Sequence, residues 1–153
     1  MKKTLLIGYG NTLRGDDGAG VRAVTILSNE GTGADCFTTQ ELHPEIAETM
    51  TEYQSVIFFD AALDTDCVQL TRIRPTYLDE FDNTHTYSPQ ALVNVCHALY
   101  RAVPANTYLI RIPAYNIEFS ENLSSETNDK TLESVEAAKN IILLQDQQPV
   151  AHG

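Results

Sequence analysis

The sequence predicts an α/β fold: a three-layer α/β/α sandwich whose five-stranded sheet is mostly parallel, with the fourth strand antiparallel at an edge. Short apolar runs alternate with segments whose apolar residues recur at helical spacing, which is typical of a sheet between helices. Only about eight residues separate the third and fourth strands, too few for the crossover that parallel strands need. With 153 residues, 42% of them hydrophobic, the chain fits a single domain, residues 1–153, with a core at about 3–145 and a frayed carboxyl-terminal tail.

The predicted elements follow one another in a regular order. The strands are residues 4–9, 35–39, 55–59, 68–73 and 107–112, and the helices cover about 18–29, a segment from Pro44, a segment from Ser88 and about 128–144. Ser88 and Pro89 mark a helix start, because serine caps free N–H groups and proline fits the first helical position. The stripes expected to face the core are Ala19, Ala23, Ile26 and Leu27, then Ile46, Ala47 and Met50, then Leu92, Val95, Cys96 and Leu99, and finally Leu132, Val135, Ala138 and Ile142.

A glycine-rich turn, residues 8–20, follows the first strand. It departs from the dinucleotide-binding fingerprint, because the third glycine of that pattern would be residue 13, which is Leu13. Two carboxylates, Asp16 and Asp17, come just before the helix instead, and an anionic pair there favours a cation over a pyrophosphate. Alternatively, one member of the pair caps the helix that starts at Gly18.

Three further observations bring reactive side chains to one end of the sheet. Ligands of α/β sheets collect beyond the carboxyl ends of the parallel strands, where Asp17 and Asp60 both lie. The loop over residues 74–87 has to return to that end before the next helix, which brings His85 there as well. Two carboxylates and one imidazole suit a divalent transition metal with open coordination positions.

Other interpretations of these residues stay open. Asp60 is alternatively an ordinary turn residue. His43 also lies at the ligand-binding end, whereas His97 follows an apolar stripe and is expected at the surface or its boundary. A serine hydrolase is disfavoured because the chain has no GxSxG motif. The cysteines have no CxxC pair and fall in strand or core patterns, so we expect reduced, mostly buried thiols rather than a nucleophile at Cys36, Cys67 and Cys96.

The charge balance excludes several classes of partner. The formal net charge is −11, from 10 Lys plus Arg against 21 Asp plus Glu. So few cations argue against binding to nucleic acid or to an anionic membrane surface. No apolar run approaches the roughly 20 residues of a membrane span, and the amino-terminal residues lack a signal-peptide pattern. We therefore expect a cytoplasmic protein that acts as a monomer.

The ordered motifs resemble those of the nickel–iron hydrogenase maturation endopeptidases. GYGNTLRGDDGAGVR is similar to their amino-terminal signature, broadly GxGNxLxxDDGxGxR. ELHPEIAE, VIFFDAA, THTYSPQAL and NIEFSENLS resemble later segments of that family in the same order, so the resemblance covers about residues 3–142. It implies the same five-stranded mixed sheet that the short connection predicts.

The resemblance also implies an activity. Members of this family remove a short carboxyl-terminal extension from a hydrogenase large-subunit precursor once nickel is in place. Asp17, Asp60 and His85 are the implied metal-binding and catalytic residues, and the precursor supplies the nickel, with another divalent metal as a substitute in vitro. Asp16 matches a position that is not usually a ligand, so Asp16→Asn should matter less. The alternatives are a non-enzymatic metal-binding module of cofactor assembly and a metal-dependent hydrolase of small amides.

Overall fold

The computed structural model describes residues 1–76 and 87–147, which form a five-stranded sheet with helices on both faces. In chain order the elements are β1 (Lys2–Tyr9), a 3-10 turn (Gly15–Gly18), α1 (Ala19–Asn29), β2 (Asp35–Thr39), α2 (Ile46–Met50), β3 (Tyr53–Ala62), β4 (Gln69–Arg72), α3 (Pro89–Val95), a π-helical turn (Cys96–Tyr100), β5 (Asn106–Pro113) and α4 (Ser125–Asp146). Among the described helices, none has the length and apolar character to span a membrane.

The strand order is β2-β1-β3-β5-β4, which confirms the predicted fold class. The strands β2, β1, β3 and β5 are parallel, and β4 pairs antiparallel with β5 at the edge. β4 is antiparallel because the short connection after β3 leaves no room for the crossover helix that a parallel strand needs. The carboxyl ends of β1 and β3 consequently lie side by side in the middle of the sheet.

Each face of the sheet has its own hydrophobic core. The core under α2 and α3 contains Leu5, Ile7, Met50, Val56, Phe58, Leu92 and Cys96. The core under α1 and α4 contains Leu6, Ala23, Leu27, Ile57, Phe59, Ile110, Val135 and Ala138. The central strand β3 contributes alternate residues to both cores, as expected of a strand covered on both faces.

The helix start at Ser88 is confirmed, whereas two stripe residues were predicted wrongly. Ser88 accepts a hydrogen bond from the Ala91 N–H at 3.1 Å, and Pro89 opens α3. Leu99 is exposed because the chain continues past α3 as a π-helical turn, which changes the angular spacing of its side chains. Leu132 is also exposed, since the buried side of α4 uses Thr131 there.

The cysteines are less uniformly buried than the sequence predicted. Cys96 is buried and Cys36 half-buried, but Cys67 is exposed. It lies in the connection before β4, whose first residue is Gln69, one residue after the start of the predicted strand at 68. All three thiols are free.

Candidate active site

The candidate site lies at the carboxyl ends of β1 and β3. These strands are parallel neighbours with Gly8 opposite Phe59, so Tyr9 and Asp60 reach the same end of the sheet. The 3-10 turn between β1 and α1 brings Asp17 to this end as well. Two of the three residues predicted from the sequence therefore belong to adjoining segments.

Glycines allow the segments around this end to approach closely. A Cβ atom on Gly20 would clash with the Phe59 carbonyl oxygen, so α1 packs directly against the backbone of β3. Gly10 has a φ of +142°, and a Cβ atom there would clash with the Asp17 carbonyl oxygen. These contacts explain the glycines of the motif without a phosphate ligand.

Asp17 is half-buried, and its carboxylate is oriented by its own loop. Its Oδ2 accepts a hydrogen bond from the Asn11 N–H at 2.7 Å, and its N–H donates to the Arg14 carbonyl oxygen at 3.1 Å. No other described residue donates a hydrogen bond to this carboxylate. One carboxylate oxygen is thus fixed while the other is available to a ligand.

Asp60 titrates close to neutral pH. Burial is the main cause that raises the pKa of its carboxyl to about 6, and the negative charge of Asp17 raises it further. Hydrogen bonds from the Tyr9 hydroxyl and the Ala61 N–H, together with the positive charge of Arg111, lower the pKa and only partly offset burial. The charges of Asp17 and Asp60 therefore interact at this end of the sheet.

Sequence reasoning missed the two side chains that flank Asp60. Arg111 lies opposite Asp60 in the β3–β5 pair, and its guanidinium donates to the Asp64 carboxylate at 2.5 Å and to the Gln69 side chain at 2.9 Å. Burial and the Asp60 carboxylate raise the pKa of the Tyr9 hydroxyl well above its ordinary value. Both side chains carry polar groups near the carboxyl end of a buried apolar strand. The same signal predicts Asp60 and could have found them.

Asp16 points away from the ligand position and into the protein. Its side chain is 0% exposed and accepts four hydrogen bonds. Three come from backbone N–H groups, those of Tyr115 and Asn116 at 2.9 Å and that of Ser124 at 2.6 Å, and the fourth comes from the Ser124 hydroxyl at 2.8 Å. These donors outweigh burial and hold the Asp16 pKa below its ordinary value. Neither carboxylate caps α1, whose N-cap is Gly18.

The histidines contribute little within the described part of the chain. His85, the predicted imidazole of the site, lies outside the described residues. His43 and His97 are exposed, and the His43 carbonyl oxygen accepts a hydrogen bond from the Ile46 N–H at 3.1 Å. In residues 1–76 and 87–147 there is no group of three His, Cys, Asp or Glu side chains arranged to hold a metal. Asp17 and Asp60 alone give a hard oxygen-donor pair that needs further ligands from elsewhere.

Comparison with known proteins gives a consistent result at the level of structure. Neither a protein-family model nor a curated protein matches the sequence. The structure of a hydrogenase 2 maturation peptidase from Thaumarchaeota archaeon SCGC_AB-539-E09 is similar, with a TM-score of 0.70 and 25% identity over 94% of this chain and 99% of that one. A [NiFe] hydrogenase maturation protease HybD from Thermococcus kodakarensis matches with a TM-score of 0.70 and 22% identity over 93% of this chain and 99% of that one.

A third similar structure is the hydrogenase maturating endopeptidase HybD from E. coli, with a TM-score of 0.72 and 19% identity over 94% of this chain and 93% of that one. The resemblance inferred from the motifs is thereby confirmed at the level of structure: this chain has the fold of the hydrogenase maturation proteases.

Proposed function

We propose that this protein, built as a hydrogenase maturation protease, is an endopeptidase that removes the carboxyl-terminal extension of a nickel-loaded [NiFe]-hydrogenase large-subunit precursor. The likeness to solved maturation proteases covers nearly the whole chain and supports a protease role. The observation that carries the proposal is the placement of Asp17 and Asp60 on adjoining segments at the carboxyl end of the sheet, where their charges interact. It supplies two carboxylates where the fold collects its ligands.

The nickel of the precursor is the ion that these carboxylates are proposed to contact. Asp17 offers the oxygen that Asn11 leaves available, and Asp60 offers a carboxylate with fewer hydrogen-bond donors than Asp16 has. His85 is proposed as the third ligand on the resemblance alone. When bound, the metal would polarise the scissile carbonyl or activate a water molecule. Because two carboxylates and one imidazole leave coordination positions open, substrate groups can complete the coordination shell.

Asp60 is also the proposed proton acceptor for the attacking water. A general base works best when its pKa lies near the pH of the reaction, and burial raises the pKa of Asp60 to about 6. The Tyr9 hydroxyl and the Arg111 guanidinium favour the ionised form that accepts the proton. Asp17, whose Oδ2 is held by the Asn11 N–H, is proposed to hold the cation with its other oxygen.

Incubation of the protein with a nickel-loaded precursor, followed by mass spectrometry, tests the proposal. We expect the wild-type protein to release the extension, and Asp17→Asn, Asp60→Asn and His85→Ala each to slow release by at least about a hundredfold, as loss of a metal ligand or base does. The matched control is Asp66→Asn, an exposed carboxylate between β3 and β4, which should cleave at the wild-type rate.

Other outcomes would contradict the proposal in distinguishable ways. A precursor that is bound but left intact would indicate a non-enzymatic assembly module. Turnover of short amides with no precursor present would indicate a small-amide hydrolase. Normal cleavage by His85→Ala would remove this residue from the site and leave His43 as the next candidate.

A further inference from the structure

We propose that Asp16 is a positioning residue for Asp17: its buried carboxylate ties the turn that carries Asp17 to the loop between β5 and α4, and thereby fixes Asp17 for catalysis. The catalytic consequence rests on the proposed function, whereas the positioning itself concerns only this chain. Asp16 would touch neither the metal nor the precursor.

The hydrogen bonds of Asp16 are of a kind that only a carboxylate can make. Oδ2 accepts from the Tyr115 N–H, the Asn116 N–H and the Ser124 hydroxyl, while Oδ1 accepts from the Ser124 N–H. An asparagine would turn an NH2 group toward at least one of these donors, because its side chain has only one acceptor oxygen. A fully buried charge is tolerated only when it is satisfied in this way. The arrangement therefore requires aspartate for a reason independent of metal binding.

Backbone hydrogen bonds join the same two segments on either side of Asp16. The Gly15 N–H donates to the Ser120 carbonyl oxygen at 2.8 Å, and the Asp16 N–H donates to the Asn116 carbonyl oxygen at 2.9 Å. In the other direction, the Ser120 N–H donates to the Leu13 carbonyl oxygen at 2.9 Å. The turn is therefore braced by a loop that follows it by about 100 residues in the chain.

This bracing reaches Asp17 through one peptide bond and a short loop. Asp17 follows Asp16 directly, and its orientation depends on the Asn11 N–H at 2.7 Å and on the Arg14 carbonyl oxygen at 3.1 Å. Both of these partners lie in the segment that the β5–α4 loop holds in place. Displacing a metal-binding or catalytic group by about 1 Å can slow a reaction about a hundredfold, so the rigidity of this segment matters to function.

The last helix takes part in the same arrangement. Ser124 is the N-cap of α4, and its hydroxyl accepts from the Thr127 N–H at 3.3 Å while it donates to Asp16. The negative charge of Asp16 thus lies at the positive end of a 22-residue helix, which favours the ionised form. The position of Asp17 is therefore connected to the docking of α4.

Amide hydrogen exchange tests the positioning without any substrate. In Asp16→Asn, we expect exchange of the Asn11 amide to accelerate at least tenfold more than that of Ile57, a fully buried residue of the central strand. The control is Met50→Ala, a fully buried residue of α2 in the core on the opposite face of the sheet from α4. It should accelerate both amides equally, because it lowers the stability of the whole fold. Ser124→Ala, which removes one donor, serves if Asp16→Asn does not fold.

Single-turnover cleavage of the nickel-loaded precursor tests the catalytic consequence. At a temperature where both variants are folded, we expect Asp16→Asn to lose at least tenfold in rate with precursor affinity unchanged, and Met50→Ala to retain the wild-type rate. Unchanged relative exchange of the Asn11 amide would overturn the inference whatever the activity. Faster exchange of the Asn11 amide together with a normal cleavage rate would overturn the catalytic part of the inference. A wild-type protein that does not cleave would refute the proposed function, and the exchange experiment would still decide the positioning.

Discussion

Two carboxylates near the same end of the sheet are held in opposite ways. Asp16 is fully buried, and four hydrogen bonds keep its pKa below the ordinary value. Asp60 is only partly buried, yet its pKa is raised to about 6, because a hydrogen bond from Tyr9 and the charge of Arg111 do not offset desolvation. The group with the smaller exposed surface is thus the stronger acid.

This difference shows that the number of donors, rather than burial, separates a structural carboxylate from a reactive one. A carboxylate whose lone pairs are all occupied has little to gain from a proton or a cation. A carboxylate that has lost its hydrating water, and has too few hydrogen-bond donors in its place, is stabilised by binding either a proton or a cation. By this criterion Asp60 is available for chemistry, Asp16 is not, and Asp17, with one oxygen held by Asn11, resembles Asp60 more than its neighbour.

The largest expected effect is that of Asp16→Asn on stability. At pH 7 we expect the free energy of unfolding to fall by about 3 kcal/mol, because one buried donor loses its acceptor and meets an NH2 group. A depressed pKa stabilises the fold above the unfolded value of 3.8 and loses that effect as pH falls through the folded value. Urea unfolding of both proteins at pH 7 and pH 3 should therefore show a deficit that shrinks in acid. Equal stability at pH 7 would contradict the structural role of Asp16.

Asp60→Asn should have a smaller effect of the opposite sign. A raised pKa makes the native state most stable below pH 3.8 and costs stability as pH rises through about 6. At pH 8 without metal, we expect Asp60→Asn to unfold at a higher free energy than the wild type, by up to about 2 kcal/mol, with the difference vanishing near pH 4. Denaturant titrations with chelator at both pH values measure it. A destabilised variant at pH 8 would mean that Asp60, too, is fully satisfied.

Tyr9→Phe should give the smallest change and isolates one donor. The Tyr9 hydroxyl favours the ionised form of Asp60, so its removal should move the titration midpoint of Asp60 upward from about 6 by about 1 pH unit. Carbon-13 NMR of the Asp60 carboxyl follows this titration directly. Tyr53→Phe is the matched control, since its hydroxyl bonds Asp35 at 2.6 Å and should leave Asp60 unchanged. A midpoint that stays at about 6 would show that Tyr9 does not support the charge.

Local patterns predicted the framework of this site but not its bracing. The length of one connection predicts the antiparallel edge strand, and the Ser88-Pro89 pair predicts a helix cap. The ends of the parallel strands predict that Asp17 and Asp60 lie at one end of the sheet. The role of Asp16 could not be predicted in this way, because its partners lie 99 to 108 residues later and are mostly backbone N–H groups, which carry no sequence signal. The expectation that Asp16→Asn should matter less rested on metal binding, and the alternative role of a helix cap is filled by neither carboxylate of the pair.

The prediction of which residues of α4 face the core was partly wrong for a related reason. Thr131 and Ser134 are buried because their hydroxyls bond carbonyl oxygens of their own helix, those of Thr127 at 2.8 Å and Thr131 at 2.6 Å. A hydroxyl side chain that donates a hydrogen bond to its own helix can be buried in a core. A prediction from hydrophobic spacing places such a residue at the surface. Leu132 is displaced to the surface as a result.

The long sequence separation behind Asp16 also has a consequence for biosynthesis. A nascent chain can pair β1 with β3 as soon as residue 62 has left the ribosome, but the turn with Asp17 gains its brace only when residues 115–124 follow and α4 has docked. Contacts that close loops of this length form late, since chain entropy opposes them until neighbouring structure is in place. An incomplete chain would therefore contain Asp17 and Asp60 without holding them in register, so that the proposed protease activity would arise only after the last helix has docked.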